Sequence, residues 1–183
     1  YIQQQSGKPW TRQRITVVFV LLMLFLFPLA MGGGGYANLS AVKYALFASL
    51  SLAYLAALLF LRFWHPVPAG QLAGPVVAVL PQLLLCALFV LAVLSSMLSP
   101  YGWLTIAGSN GKDGLLVLAL LLFTTLCVAR YAQWKDGFLS AVLGASLMMN
   151  LLALLQLAGW NPLGLYPAGS TYYDGGQLYV GQF

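Results

Sequence analysis

The stretch SAVKYALFASLSLAYLAALLFLRF, Ser40 to Phe63, carries charge only near its ends, at Lys43 and Arg62. A helix needs about 20 such residues to cross the hydrocarbon core of a bilayer. Inside lipid no water is available to unpaired backbone groups, so a run this long and this apolar reads as a membrane-spanning helix. Lys43 falls in its first turn, where a lysine can snorkel its ammonium to the interface.

Outward from this run, four more of similar kind follow or precede it, at about 15–31, 76–98, 114–129 and 138–158. The first is short for a span. Pro28 lies near its end, and the glycines at 32–35 stop it. Pro81 lies inside the third, and Arg130 closes the fourth. The connections are short and rich in turn formers, as in RYAQWKDG at 130–137. Short alternating segments of the outer-membrane barrel type are absent, and no heptad or other repeat is evident. The expected fold is all-α: a polytopic membrane protein with five transmembrane helices and short loops. It divides into a cytoplasmic juxtamembrane segment (1–14), the five-helix region (15–158) and an extracytoplasmic segment (159–183).

Composition agrees. Of 183 residues 61% are hydrophobic and 6% charged, where a soluble domain carries about a quarter charged. There is no glutamate. The net charge of +5 arises from eight basic and three acidic residues, and the basic ones cluster at the ends of apolar runs. That placement sets topology rather than recruiting nucleic acid. With the N-terminus in the cytoplasm, the inner segments hold Lys8, Arg12, Arg14, Arg62, Arg130 and Lys135, and the outer ones only Lys43 and Lys112. The first apolar run lacks a cleavage pattern and reads as an anchor. The chain starts at Tyr1 and stops at Phe183 inside an aromatic, polar segment, so a longer parent protein is expected, with the rest of that chain as a partner.

Chemistry-bearing residues are sparse. Cys86 and Cys127 fall inside apolar runs and read as small apolar residues. His65 stands alone in a loop. No Ser–His–Asp or metal-ligand constellation exists, so no catalytic residue, metal or cofactor is assigned. Gln82, Thr124, Thr125, Asn150 and Gln156 lie within spans and are expected to hydrogen-bond neighbouring helices. The polar island is SPYGWLTIAGSNGKDG, Ser99 to Gly114. Its Gly-x-x-Gly-Lys pattern fails the spacing of a nucleotide-binding loop. Asp113 is expected to cap the fourth span, with Lys112 beside that helix start, an arrangement suited to an anionic headgroup or pyrophosphate. Tyr101 and Trp103 sit where aromatic rings anchor at an interface or stack on a sugar. Trp160, Tyr166, Tyr172, Tyr173, Tyr179 and Asp174 make the tail aromatic.

Two stretches carry a resemblance: SSMLSPYGWLTIAGSNGKDGLL (95–116) and LLALLQLAGWNPLGLYPAG (151–169). Together they resemble the N-terminal half of bacterial O-antigen ligase-related polytopic proteins, which include O-antigen ligases, O-antigen polymerases and O-linking oligosaccharyltransferases. The shared pattern is an outward Ser…Trp…Gly-Ser…Gly-(Arg/Lys)-acid-Gly turn between two helices, then a Gln…Gly…Pro-x-Gly-x-Tyr-Pro-like exit from the next. It covers roughly residues 90–168. The resemblance implies glycosyl transfer from a polyprenyl-pyrophosphate-linked glycan at the outer face of a bacterial inner membrane. It implies substrate contacts at Lys112, Ser109, Trp103 and Asp113. Family members typically carry arginine where Lys112 stands; lysine keeps the charge without the planar fork. The family's catalytic arginine and histidine belong to later outward loops, so none is assigned here. Two other readings stay open, a non-catalytic membrane scaffold and a fragment of a transporter or flippase. The Ala and Ser faces of the second span suit the scaffold.

Overall fold

The computed structural model describes residues 11–31, 39–64, 76–108, 114–160, 163, 173–174 and 177–178; for 76–79 and the last four it describes the backbone alone. The helices are α1 (Arg12–Leu29), α2 (Leu39–Trp64), α3 (Val76–Leu98), α4 (Trp103–Ala107), α5 (Leu115–Tyr131) and α6 (Asp136–Leu157). A two-residue antiparallel pair, β1 (Tyr173–Asp174) and β2 (Gln177–Leu178), sets Tyr173 opposite Leu178 and Asp174 opposite Gln177. The fold is all-α. Four helices, α1, α2, α3 and α6, are long and apolar enough to cross a membrane, and α5 is a shorter apolar helix of 17 residues.

The described interior is unusually polar. Seven apolar residues are buried beside four polar ones, Thr16, Ser51, Thr124 and Gln156, and the largest fully buried side chains are all polar. Outside, leucines and phenylalanines stand open along every long helix, and α3 buries no described side chain. A soluble protein with this distribution would aggregate. In lipid it is the expected one: apolar surface meets acyl chains, and polar groups turn inward to find partners. The chain is a multi-pass membrane protein.

The chain forms two compact units whose boundaries cut through α1 and α2. The first holds 1–17 and 51–133, the second 18–50 and 134–183. In the first, the Arg12 guanidinium reaches the Leu61 carbonyl at 3.5 Å, and the Thr16 and Tyr54 hydroxyls meet at 2.9 Å. Rising along α1 means descending along α2, so the two are antiparallel. Here α3 and α4 both pack on α5. In the second unit the Lys43 ammonium lies 5.7 Å from the centre of the Phe27 ring, the same antiparallel sense. A Cβ built on Gly137 would sit 3.7 Å from Leu21 Cδ2, and one on Gly144 3.5 Å from Phe25 Cε2. Both numbers rise together, so α6 runs parallel to α1.

α5, at 17 residues, is shorter than the four but likewise apolar. The apolar helices of the described chain thus number four or, with α5, five, in line with the five spans that the sequence leads one to expect.

Helix ends follow local chemistry. Pro28 sits in the last turn of α1, where its missing N–H removes a backbone bond, and the helix stops one residue later. α1 starts at Arg12, so the helix extends back over Arg12, Gln13 and Arg14 of the segment expected as juxtamembrane over 1–14. Asp136 lies in the first turn of α6, the favourable end of the helix dipole for an acid. α6 closes with Trp160 N–H donating to the Leu155 carbonyl at 2.9 Å and Gly159 N–H to Gln156 at 3.0 Å. This is a Schellman ending, with Gly159 at φ 80°.

Candidate functional site at the turn between α3 and α5

The polar island is more than the simple turn expected from its glycines. After α3 the Ser99 hydroxyl accepts the Tyr101 N–H at 3.3 Å, which bends the chain. A single-turn helix follows, α4, bracketed by Gly102 (φ 51°) and Gly108 (φ 87°). Side chains rarely adopt such positive φ values, so both brackets call for glycine. The Thr105 hydroxyl donates to the Gly102 carbonyl at 2.8 Å and the Gly108 N–H to the Leu104 carbonyl at 2.8 Å, which closes the turn at each end.

α4 is then locked to α5 by an absence of side chain. A Cβ on Gly114 would overlap the Ile106 carbonyl oxygen, the Ala107 carbonyl carbon and the Gly108 nitrogen. Gly114 has ordinary extended backbone, φ −87° and ψ 177°, so its requirement is space and not conformation. Backbone rests on backbone there, and Gly108 and Gly114 are both buried. Gly114 is also the N-cap of α5, and among the described residues no side chain bonds to that cap. The expected capping by Asp113 is thereby replaced: the cap is the next residue, because only glycine fits against the end of α4.

The outer surface of this turn is aromatic. Tyr101 is 69% exposed and Trp103 70%. Of the residues expected to contact substrate, Trp103 is placed on α4 with its ring open; Ser109, Lys112 and Asp113 lie outside the described residues. The described side chains offer ring faces and apolar area, which suits stacking or interfacial anchoring and not proton transfer.

A second polar arrangement was not anticipated in the sequence. The Thr16 hydroxyl donates to the Arg12 carbonyl at 2.8 Å. That uses its one hydrogen, so Thr16 accepts from Tyr54 across the 2.9 Å contact. The result is a directed relay, Tyr54 to Thr16 to the carbonyl of Arg12, buried in the first unit. Among the intramembrane polar residues that were singled out, Gln156 and Thr124 are buried, Gln82 is half-buried, and Thr125 and Asn150 are exposed. The last two therefore do not face a described neighbouring helix as expected. The sequence signal for the relay is slight: Thr16 follows Arg12 by one helical turn.

Comparison of the chain with protein-family models, with curated proteins and with solved structures finds no match in any of the three.

Proposed function

We propose that the chain is the N-terminal membrane part of a glycan ligase or polymerase of the O-antigen ligase-related kind, set in a bacterial inner membrane with its N-terminus in the cytoplasm. The turn between α3 and α5 then faces outward, toward a polyprenyl-pyrophosphate-linked glycan. A sugar hydroxyl or lipid acceptor attacks the anomeric carbon and the pyrophosphate leaves. Lys112 supplies a cation for the pyrophosphate, Ser109 a hydroxyl, and Trp103 a ring face for a sugar, with Asp113 balancing the lysine charge. Bond-breaking chemistry falls to the remainder of the chain.

The observation that supports this reading best is the build of the turn. Gly108 and Gly114 flank the segment that carries Ser109, Lys112 and Asp113, and they meet backbone to backbone beside the open Trp103 ring. A plain connection between two spans needs no such lock. The test is Lys112→Ala in the full-length protein. A rise of about tenfold in donor KM, the scale of a lost charged hydrogen bond, is expected, while the variant stays folded. Unchanged KM and transfer rate would remove Lys112 from the site. A cysteine at position 109 should react only with reagent added outside the cell; labelling from the cytoplasm alone would overturn the orientation.

One observation favours a scaffold instead. Ala45, Ser49, Ala53 and Ala56 all lie exposed along α2, at the small-residue spacing that lets membrane helices approach closely. Under that reading Ser49→Leu dissociates an assembly in detergent; under the enzyme reading it leaves transfer unchanged.

A further inference from the structure

On α6 the buried and the exposed residues divide into two opposite faces. Phe138, Ala145, Leu152 and Gln156 are buried, and α1 approaches the flank that carries Gly137 and Gly144. On the far side Leu143, Leu147, Asn150, Leu154 and Leu157 are all exposed, Leu147 to 71%. Their spacings are four, three, four and three residues. That alternation is the repeat of a helix that pairs lengthwise with another helix. Continued backward by three and then four residues, it reaches Ser140 and Asp136, both exposed. The seam runs from the first residue of α6 to the last.

Leucine needs no partner in lipid, because acyl chains are as apolar as it is. Asn150 does. It lies seven residues before the end of α6, about 10 Å from that end at 1.5 Å per residue, and so within the hydrocarbon core. Its amide carries two N–H donors and a carbonyl acceptor. Acyl chains offer none of these a partner, and a polar group left bare in an apolar medium is costly.

The chemistry of the amide and the topology of the chain name the occupant. Every copy of a multi-pass protein sits in the bilayer the same way up. A second copy therefore brings α6 in the same direction, with its own Asn150 at the same depth. Two carboxamides that meet there satisfy one another, the N–H of each donating to the C=O of the other. A lone polar residue in an apolar seam fixes the register, and this one fixes it at zero offset, each leucine opposite its counterpart. Ser146 and Ala153, seven residues apart, flank the seam at this level and are small enough to let two backbones approach. At the head of the seam Lys135 stands next to Asp136, so the acids that meet there have cations beside them.

We propose that α6 is a homodimerisation helix: two copies pair in parallel along the seam from Leu143 to Leu157, with the two Asn150 amides hydrogen-bonded to each other. The surface is distinct from the small-residue stripe of α2 and from the turn between α3 and α5, and the inference does not rest on the glycan reading.

The test follows the full chain, carrying donor or acceptor dye, by energy transfer in liposomes as the ratio of lipid to protein is raised. The parent should dimerise. Asn150→Leu, with helix content unchanged by circular dichroism, should weaken the dimer about five- to thirtyfold, the scale of hydrogen bonds between polar side chains of membrane helices in model peptides. Asn150→Gln should restore most of the loss, and Ser49→Leu on α2 should have no effect. With Cys86 and Cys127 replaced by alanine, a cysteine at Leu147 or Leu154 should yield disulfide-linked dimers on oxidation, and one at Leu88, also open on α3, should not. A parent that stays monomeric at every dilution would overturn the proposal, as would an Asn150→Leu chain that pairs as tightly as the parent. Loss of pairing in Ser49→Leu alone would overturn it by moving the interface to α2. A monomer whose Asn150 amide is shielded from a lipid-borne paramagnetic probe would overturn it too, placing another segment of the same chain on this face.

Discussion

The two units use glycine in opposite ways. In the first, Gly114 admits backbone against backbone at the joint of α4 and α5, and α1 is tied to α2 by the Thr16–Tyr54 hydrogen bond. In the second, Gly137 and Gly144 admit the side chains of Leu21 and Phe25, and α6 buries Phe138, Ala145, Leu152 and Gln156. The first unit is fastened by contacts that tolerate no added atom and by bonds with a direction. In the second, Gly137 and Gly144 have side-chain atoms and not backbone for neighbours, and Gln156 adds a buried amide to the packing. Glycine in a membrane chain thus has two meanings, and only the nearest atom across the gap tells which applies.

Gly114→Ala should give the largest effect. The added methyl meets three backbone atoms of Ile106, Ala107 and Gly108, which have no rotamer to move into. A loss of about 3 kcal/mol or more is expected in reversible detergent unfolding, at the severe end for a single substitution. Undocking of α4 should accompany it, read as altered accessibility of a cysteine placed at Leu104. A variant as stable as the parent would show that the α4–α5 lock is not tight.

Thr16→Val comes next. It keeps shape and removes the acceptor that Tyr54 uses, so a cost of about 1 kcal/mol is expected. Tyr54→Phe should cost less, about half of that by the same reasoning, because Thr16 keeps its bond to the Arg12 carbonyl. The pair together should fall short of the sum, since both remove one contact. Additivity would mean that each hydroxyl is held by something other than its partner at 2.9 Å.

How far the sequence speaks follows the same division. Spans are legible because lipid demands length and apolarity from every residue of a run, which is why the stretches at 40–63 and 76–98 correspond to α2 and α3 within a residue. The turn was legible as glycine-rich but not as a helix: WLTIA is too short for periodicity to register, and its limits come from the positive φ of Gly102 and Gly108. The cap was misplaced by one residue, because Asp113 has the better intrinsic preference and the steric demand on Gly114 is tertiary. No heptad was evident, yet Phe138, Ala145 and Leu152 are buried at seven-residue spacing on α6. In a run where nearly every residue is apolar, a seam has no contrast. For the same reason the hydrophobic pattern could not separate the face of α3 that meets α5 from the faces that meet lipid. Thr16, Ser51 and Tyr54 are ordinary as residue types. What makes them matter is burial, which depends on which helix arrives opposite.

The smallest predicted effect tests the packing unit and has the opposite sign. A Cβ on Gly144 would lie 3.5 Å from Phe25 Cε2 and one on Gly137 3.7 Å from Leu21 Cδ2, both ordinary contact distances. Alanine exceeds glycine in helix preference by roughly 0.8–1 kcal/mol in a helix interior. Gly144 lies mid-helix, so most of that gain should be realised, and the new methyl adds contact with the Phe25 ring. Gly137 lies in the first turn of α6, where fewer backbone bonds depend on the residue, so its gain should be smaller. Gly144→Ala is thus expected to stabilise by about 0.5 kcal/mol and Gly137→Ala by less, in the same unfolding measurement that finds Gly114→Ala severely damaging. If Gly144→Ala instead destabilised, the α1–α6 seam would need its glycines for close approach, as the α4–α5 joint does, and the contrast between the two units would disappear.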